Sequence, residues 1–187
     1  MSKMLKLQKE KRELGRFLSN NDFKKYLNED VNNKILTYAD LKEYNNILHV
    51  LPNEKDYRIV LIQEKPNSGH WCCLIRNHNN IMWFDSYGIS PDGELKFINK
   101  DMNILLGQNE HQIHRLMKTA PSDFTKEYNH FDFQSFDEDI ATCGRWVMWA
   151  ILMNNLNYSL DEMKEFIERW TYELDKDSDI LIIEWIC

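Results

Sequence analysis

A pair of short apolar runs in the middle of the chain limits most sharply what it can fold into. "HWCCLIR" (70–76) and "IMWFDSYG" (81–88) are rich in β-branched and aromatic residues, and only the Asn-rich turn "NHNN" (77–80) separates them. Two strands so joined form a hairpin. Both of its faces are apolar, so the hairpin belongs in the centre of a sheet and must be covered on each side. A third run, "YRIVLIQE" (57–64), supplies a further strand.

The flanks read as helices. Ser19 to Asn21 precede "DFKKYLN", and Thr37 precedes "YADLKEYNNIL", in the manner of N-caps before short helices. Asp101 can cap a helix reaching to about Lys118, and "EYNHFDFQ" (127–134) reads as a strand. Cys143 to Asn155 then form a helix that is apolar nearly all round and therefore buried. Ser159 and Glu162 make a capping box ahead of "MKEFIERWTYEL", and "DILIIEWIC" (179–187) reads as a closing strand. Helices kept apart from a contiguous strand region predict an α+β fold with a central, mostly antiparallel sheet flanked by helices. One domain over 1–187 is expected: a helical part (1–56), a core (57–155) and a C-terminal helix and strand (156–187).

Bulk properties exclude several classes. Hydrophobic residues make up 43% of the 187 positions, which rules out a disordered chain despite 28% charged residues. A formal net charge of −7 lacks the basic footprint of a nucleic-acid binder. The local basic run at Met1 to Arg16 reads as a solvated helix face with interleaved Glu. No membrane span and no signal peptide is visible, so a protein of a reducing compartment, virion interior included, is expected.

The cysteines at 72, 73, 143 and 187 fit neither a disulfide framework nor paired zinc spacing. Cys72 and Cys73 point to opposite faces of their strand as core filler, and Cys187 reads as a packed end or an intermolecular thiol. "DKDSD" (175–179) lacks the glycine and the glutamate of a calcium loop. His111 and His114 lack a third ligand. No metal and no cofactor is expected.

Chemistry concentrates at "ATCGRWVMWA" (141–150). A helix start offers free backbone N–H groups and a positive dipole end, which favour a thiolate at Cys143. Gly144 reads as room for a substrate carbonyl to approach the sulfur. His70 opens one hairpin strand and Asp85 closes the other, so both fall near the open end, where a carboxylate can orient an imidazole. Cys143, His70 and Asp85 thus supply nucleophile, base and orienter. Five other histidines (His49, His78, His111, His114 and His130) compete for the base role.

"GHWCCLI" (69–75), "WFDSYG" (83–88) and "QSFDEDIATCGRW" (134–146) resemble the ordered blocks of a cysteine protease clan. That clan contains the SUMO-specific proteases and adenain, the adenovirus maturation protease. The flavour is closest to adenain-like proteases of virophages, polintons and large DNA viruses. The resemblance covers about 57–155. It implies a papain-like fold in permuted order, with Cys143 as nucleophile, His70 as base and then acid, and Asp85 as orienter. Gln134 would give a side-chain amide to an oxyanion hole completed by the Cys143 backbone N–H, with Asn129 as the fallback donor. Trp71 would wall a narrow slot for small substrate residues.

Implied too is a function: an endopeptidase cleaving viral capsid or core precursors during virion maturation, in the virion and the host cytoplasm, with an activating peptide compatible and nucleic acid disfavoured by the acidic balance. Rival readings are a protease for ubiquitin-like modifiers, an acetyltransferase on the same fold, and a binding protein in which Cys143 is inert packing. The longer span between Gln134 and Cys143 departs from most SUMO proteases. Asp137, Glu138 and Asp139 within it are expected to face solvent or to select a basic substrate segment.

Overall fold

A computed structural model describes residues 3–27 and 31–186. Its first half runs α1 (Lys3–Leu14), α2 (Asn20–Leu27), β1 (Ile35–Thr37), a 3-10 turn (Tyr38–Glu43), α3 (Ile47–Val50), β2 (Lys55–Lys65), β3 (Ser68–Asn77) and β4 (Asn80–Asp85). A second 3-10 turn (Gly93–Phe97), α4 (Lys100–Leu105), α5 (Gln112–Met117), β5 (Thr125–Tyr128), α6 (Cys143–Asn155), α7 (Leu160–Leu174) and α8 (Ser178–Trp185) follow. Cys187 lies outside the described residues.

The strands form one five-stranded sheet in the order β1-β2-β3-β4-β5. The three long strands are antiparallel, and the short edge strands β1 and β5 add to them in parallel. The α+β class with a helix-flanked central sheet is the one expected. β3 holds the middle, as its two apolar faces demand. One face, with Tyr57, Ile59, Cys73, Ile75 and Phe84, packs on α6 to α8. The other, with Val60, Ile62, Cys72, Leu74 and Trp83, packs on Tyr38, Leu41 and the α5 residues Ile113 and Leu116. Cys72 and Cys73 are therefore core residues of opposite faces, both fully buried.

Four local expectations need correction. The described part of "DILIIEWIC" is helical to Trp185, because Asp175 in the left-handed region (φ 50°) ends α7 and the next turn starts α8. That helix buries Leu181, Ile182 and Ile183 while turning Asp179 inward, so packing overrides the β propensity of a short apolar run. The helix expected over 101–118 is two helices capped first at Asn99, which accepts from the Asp101 backbone N–H at 2.8 Å. Between them Gln108 is fully buried, its side chain bonded to the N–H and C=O of Gln63 where β2 bulges. The strand expected over 127–134 ends at Tyr128, because Asn129 turns in to bond the backbone of Asp85. The three-residue β1 falls in the part expected to be helical.

The N-terminal segment closes over the start of α6. Ala141 donates its backbone N–H to the Leu14 carbonyl at 2.7 Å. The Leu18 carbonyl accepts from the Trp71 indole at 3.1 Å. Arg145, fully buried in α6, bonds the Ile186 and Arg16 carbonyls at 3.1 and 3.3 Å and the Glu13 carboxylate at 2.8 Å. One guanidinium thus ties both ends of the chain to the helix that starts at Cys143. A Cβ on Gly144 would stand 3.1 to 3.3 Å from three carbons of Leu18.

Arg145→Ala empties a fully buried position and leaves the Ile186 and Arg16 carbonyls without their donor, and should lower unfolding stability by about 2–5 kcal/mol in urea titrations. Gly144→Ala crowds Leu18 and should cost about 1–3 kcal/mol. A Leu18→Ala background removes two of the three crowding carbons and keeps the Cβ at 3.1 Å, so there the same Gly144→Ala change should cost less, a coupling that a double-mutant cycle reads directly.

Candidate active site

β3 and β4 pair with Cys72 opposite Asp85, which places His70 diagonally across from Asp85 on the same sheet face. Gly69 permits this: a Cβ there would lie 2.0 Å from the Ile62 carbonyl, where β2 bulges past it. The His70 Nε2 stands 2.9 Å from Asp85 Oδ1, with the imidazole nearly buried and the carboxylate wholly so. The same oxygen accepts the Tyr87 N–H at 2.8 Å, and Oδ2 takes the Cys72 thiol at 3.5 Å. Asn129 fixes the backbone of Asp85 by accepting its N–H at 3.0 Å and donating to its C=O.

Cys143 arrives from the opposite side of the sheet as the first residue of α6. The start of that helix is set by Asp179, which accepts from the Thr142 hydroxyl, from the Trp146 indole at 3.1 Å and from the Ser135 N–H at 2.8 Å. His70, Cys143 and Gln134 line one cleft of about 350 Å³, together with Phe17, Tyr87 and Glu94. A larger hollow of about 500 Å³ beside Ser90, Asn103 and His111 contains no cysteine.

Burial works against a charged His70. The Asp85 carboxylate and hydrogen bonds to Asp85 and Cys143 outweigh it and hold the imidazole pKa well above its usual value. Burial and Asp85 push the Cys72 thiol well upward. Tyr87 stacks on the imidazole at 4.8 Å between ring centroids, and Phe136 stacks on Tyr87 at 4.4 Å. Burial raises the Tyr87 hydroxyl to about 12, so it stays protonated.

Of the residues singled out in sequence, the fold brings His70, Asp85, Cys143 and Gln134 together. Gln134 accepts from Ser86 at 2.9 Å and donates to Tyr87 Oη at 3.0 Å and to the Ile140 carbonyl at 3.2 Å, so both amide protons are engaged. Asn129 stands behind Asp85 with its amide committed to backbone carbonyls. Trp71 lies outside the cleft lining, on the other sheet face, packed edge-on against Phe23 at 5.0 Å. At Gly144 the missing side chain makes room for Leu18, an intramolecular neighbour, where the sequence suggested room for substrate. Asp137 and Glu138 are exposed and border the cleft.

Sequence reasoning passed over Tyr87, Glu94 and Asp179. Tyr87 was signalled only by its place two residues after Asp85. Asp179 sat where a calcium loop was rejected and a closing strand expected, and Glu94 carried no motif at all. His70, Cys72 and Asp85 bring one donor atom each within 4.8 Å of the others. Those atoms are hydrogen-bonded to one another through the His70–Asp85 and Cys72–Asp85 contacts. Among the described residues no helix is long and apolar enough to cross a membrane.

No family profile matches the chain. The solved structure of the SUMO protease Ulp1 with its catalytic cysteine oxidized to a sulfenic acid aligns at a TM-score of 0.45 and 16% identity, covering 92% of this chain and 78% of that one. The C-terminal Ulp1 protease domain in complex with Smt3, the yeast ortholog of SUMO, aligns at 0.42 and 15%, covering 94% and 81%. The uncharacterized protein V9 of Sputnik virophage is 35% identical over 152 residues, which span 81% of this chain and 83% of that protein. At that identity and coverage the chain belongs to the family of the Sputnik virophage V9 protein.

Proposed function

We propose that this protein is a cysteine protease, and that one observation carries the reading: three separate segments converge on one cleft to set a buried, carboxylate-bonded imidazole against a cysteine at a helix start. The Nε2 of His70 is taken by Asp85, which leaves Nδ1 for Cys143. With its pKa raised, the imidazole carries the proton that the leaving amine needs. Cys143 Sγ attacks the scissile carbonyl, the C–N bond breaks as His70 protonates the amine, and an acyl-enzyme remains. Water then adds to the thioester carbonyl, giving its proton to His70, and the C–S bond breaks.

Backbone N–H groups at the start of α6 are the donors for the oxyanion, and Gln134 joins them by releasing the Ile140 carbonyl. Glu64, Asp137 and Glu138 against Lys65 make the cleft border acidic, which suits a substrate with basic residues beside the cut. The finer reading is cleavage of capsid or core precursors in virion maturation, in the virion and the host cytoplasm, by an adenain-like enzyme. Kinship with a virophage protein supports the viral setting.

Purified enzyme with candidate precursor polypeptides and with a ubiquitin-like modifier bearing a C-terminal extension tests this. Precursors should be cut and the modifier left intact; the reverse selectivity makes it a modifier protease. Cys143→Ala and His70→Ala should each lower kcat/KM by about a thousandfold or more. Iodoacetamide labelling of Cys143 should slow in His70→Ala. Full activity in either variant sinks the assignment.

A further inference from the structure

Glu94 stands beside the His70–Asp85 pair without a place in the mechanism above. It is 9% exposed, and its Oε1 is buried with no hydrogen-bond donor in reach. That oxygen lies 3.9 Å from His70 Nε2, and the carboxyl is within hydrogen-bonding reach of Asp85. Two carboxylates so placed have no donor between them. An added proton supplies one, satisfies the orphaned oxygen and removes a like-charge contact in a buried setting.

The position is built. Asp92, just before the 3-10 turn that carries Glu94, has φ 64° and accepts from the Tyr38 hydroxyl at 2.5 Å and from the Ile113 and His114 N–H groups at 2.9 Å each. The turn is thereby anchored to the start of α5, and Glu94 is aimed at the site by a rigid support. The titratable groups facing it are His70 and Cys72 from β3, Asp85 from β4, Glu64 from β2, and Tyr87 beyond β4. Among the described residues no lysine or arginine pairs with it.

We propose that Glu94 is a positioning residue that shares a proton with Asp85 and thereby governs how tightly the pair holds the proton of His70. The consequence for catalysis rests on the proteolytic reading; the shared proton does not. Protonated Glu94 takes up part of the negative charge that Asp85 offers the imidazole. Ionised Glu94 adds a second carboxylate beside it, binds the imidazolium proton harder and slows its transfer to the leaving amine. Burial and Asp85 raise the Glu94 carboxyl to about 7, against the attraction of His70, so the change falls within the neutral range.

Glu94→Gln keeps a donor toward Asp85 and cannot ionise. About a tenth of wild-type Glu94 keeps its proton at pH 8, so from pH 6 to pH 8 wild-type kcat/KM should fall relative to Glu94→Gln, by at most about tenfold. Glu94→Ala, which has no donor, should be slower than Glu94→Gln throughout.

Two readouts need no activity. The ring carbon resonances of His70, followed in histidine-labelled Cys143→Ala protein, should show an inflection near pH 7 that Glu94→Gln abolishes. Folded Glu94 also binds its proton more tightly than the unfolded chain, whose value is near 4.5. Wild type should therefore lose stability relative to Glu94→Gln as pH rises from about 4.5 to 7. If the stability difference is flat with pH and the His70 inflection survives Glu94→Gln, Glu94 holds no such proton and the proposal fails, protease or not. Superimposable pH–rate profiles remove its role in catalysis. Both physical signatures without any hydrolysis leave the shared proton standing and count against the protease assignment alone.

Discussion

The geometry of the cleft hangs on one buried carboxylate, Asp179. It comes from α8 and accepts three donors that belong to different parts of the site: the Thr142 hydroxyl and Trp146 indole of the α6 start, and the Ser135 N–H of the loop beside Gln134. A charge with 1% exposure is tolerated only when its lone pairs are filled this way. Filling them fixes the rotation of the first turn of α6, and with it the direction in which Cys143 presents its sulfur. Arg145 does the complementary task on the outer side of the same turn, binding the Arg16 and Ile186 carbonyls. Segments far from the hairpin, which looked like mere flanks in sequence, are thus what aim the Cys143 sulfur.

Legibility in the sequence followed the range of the interaction. The hairpin could be read because its turn and strand alternation are local properties, so His70 and Asp85 fell near one open end and Cys72 and Cys73 on opposite faces from spacing alone, while the exact register that pairs Cys72 with Asp85 came from the structure. Helix α6 was read to its boundaries because an apolar surface all round has one solution, burial. The run "ILII" in α8 had two solutions, and only the demand for Asp179 at the α6 start, some forty positions away, separates them. The break between α4 and α5 likewise depends on Gln108 reaching the Gln63 backbone. Gly144 was read as open space because a sequence shows that a side chain is missing and not what fills the gap. Trp71 illustrates the same limit: its neighbour His70 faces the cleft, and strand alternation sends the indole to the other side.

Electrostatically the site is a buried imidazole among acids and thiols. Asp85 serves His70, the Tyr87 N–H and the Cys72 thiol at once, which leaves it little freedom to swing toward solvent. Cys72 next to Asp85 stays a thiol, since burial and the carboxylate both disfavour its anion. Of the two cysteines near His70, then, Cys72 serves as a hydrogen-bond donor. Cys143 alone lines the open cleft, so chemistry and access select the same sulfur.

Exposure around the cleft says what kind of chain it can hold. Phe17 and Phe136 are each about two-thirds exposed although large and apolar, and Phe136 caps the stack that runs through Tyr87 to His70. Both come from irregular segments, Phe17 from the link between α1 and α2 and Phe136 from the loop that precedes α6. The acidic side chains of Asp137 and Glu138 follow directly in that loop. An extended peptide laid between these segments would cover the exposed rings with apolar side chains and place basic ones against the carboxylates.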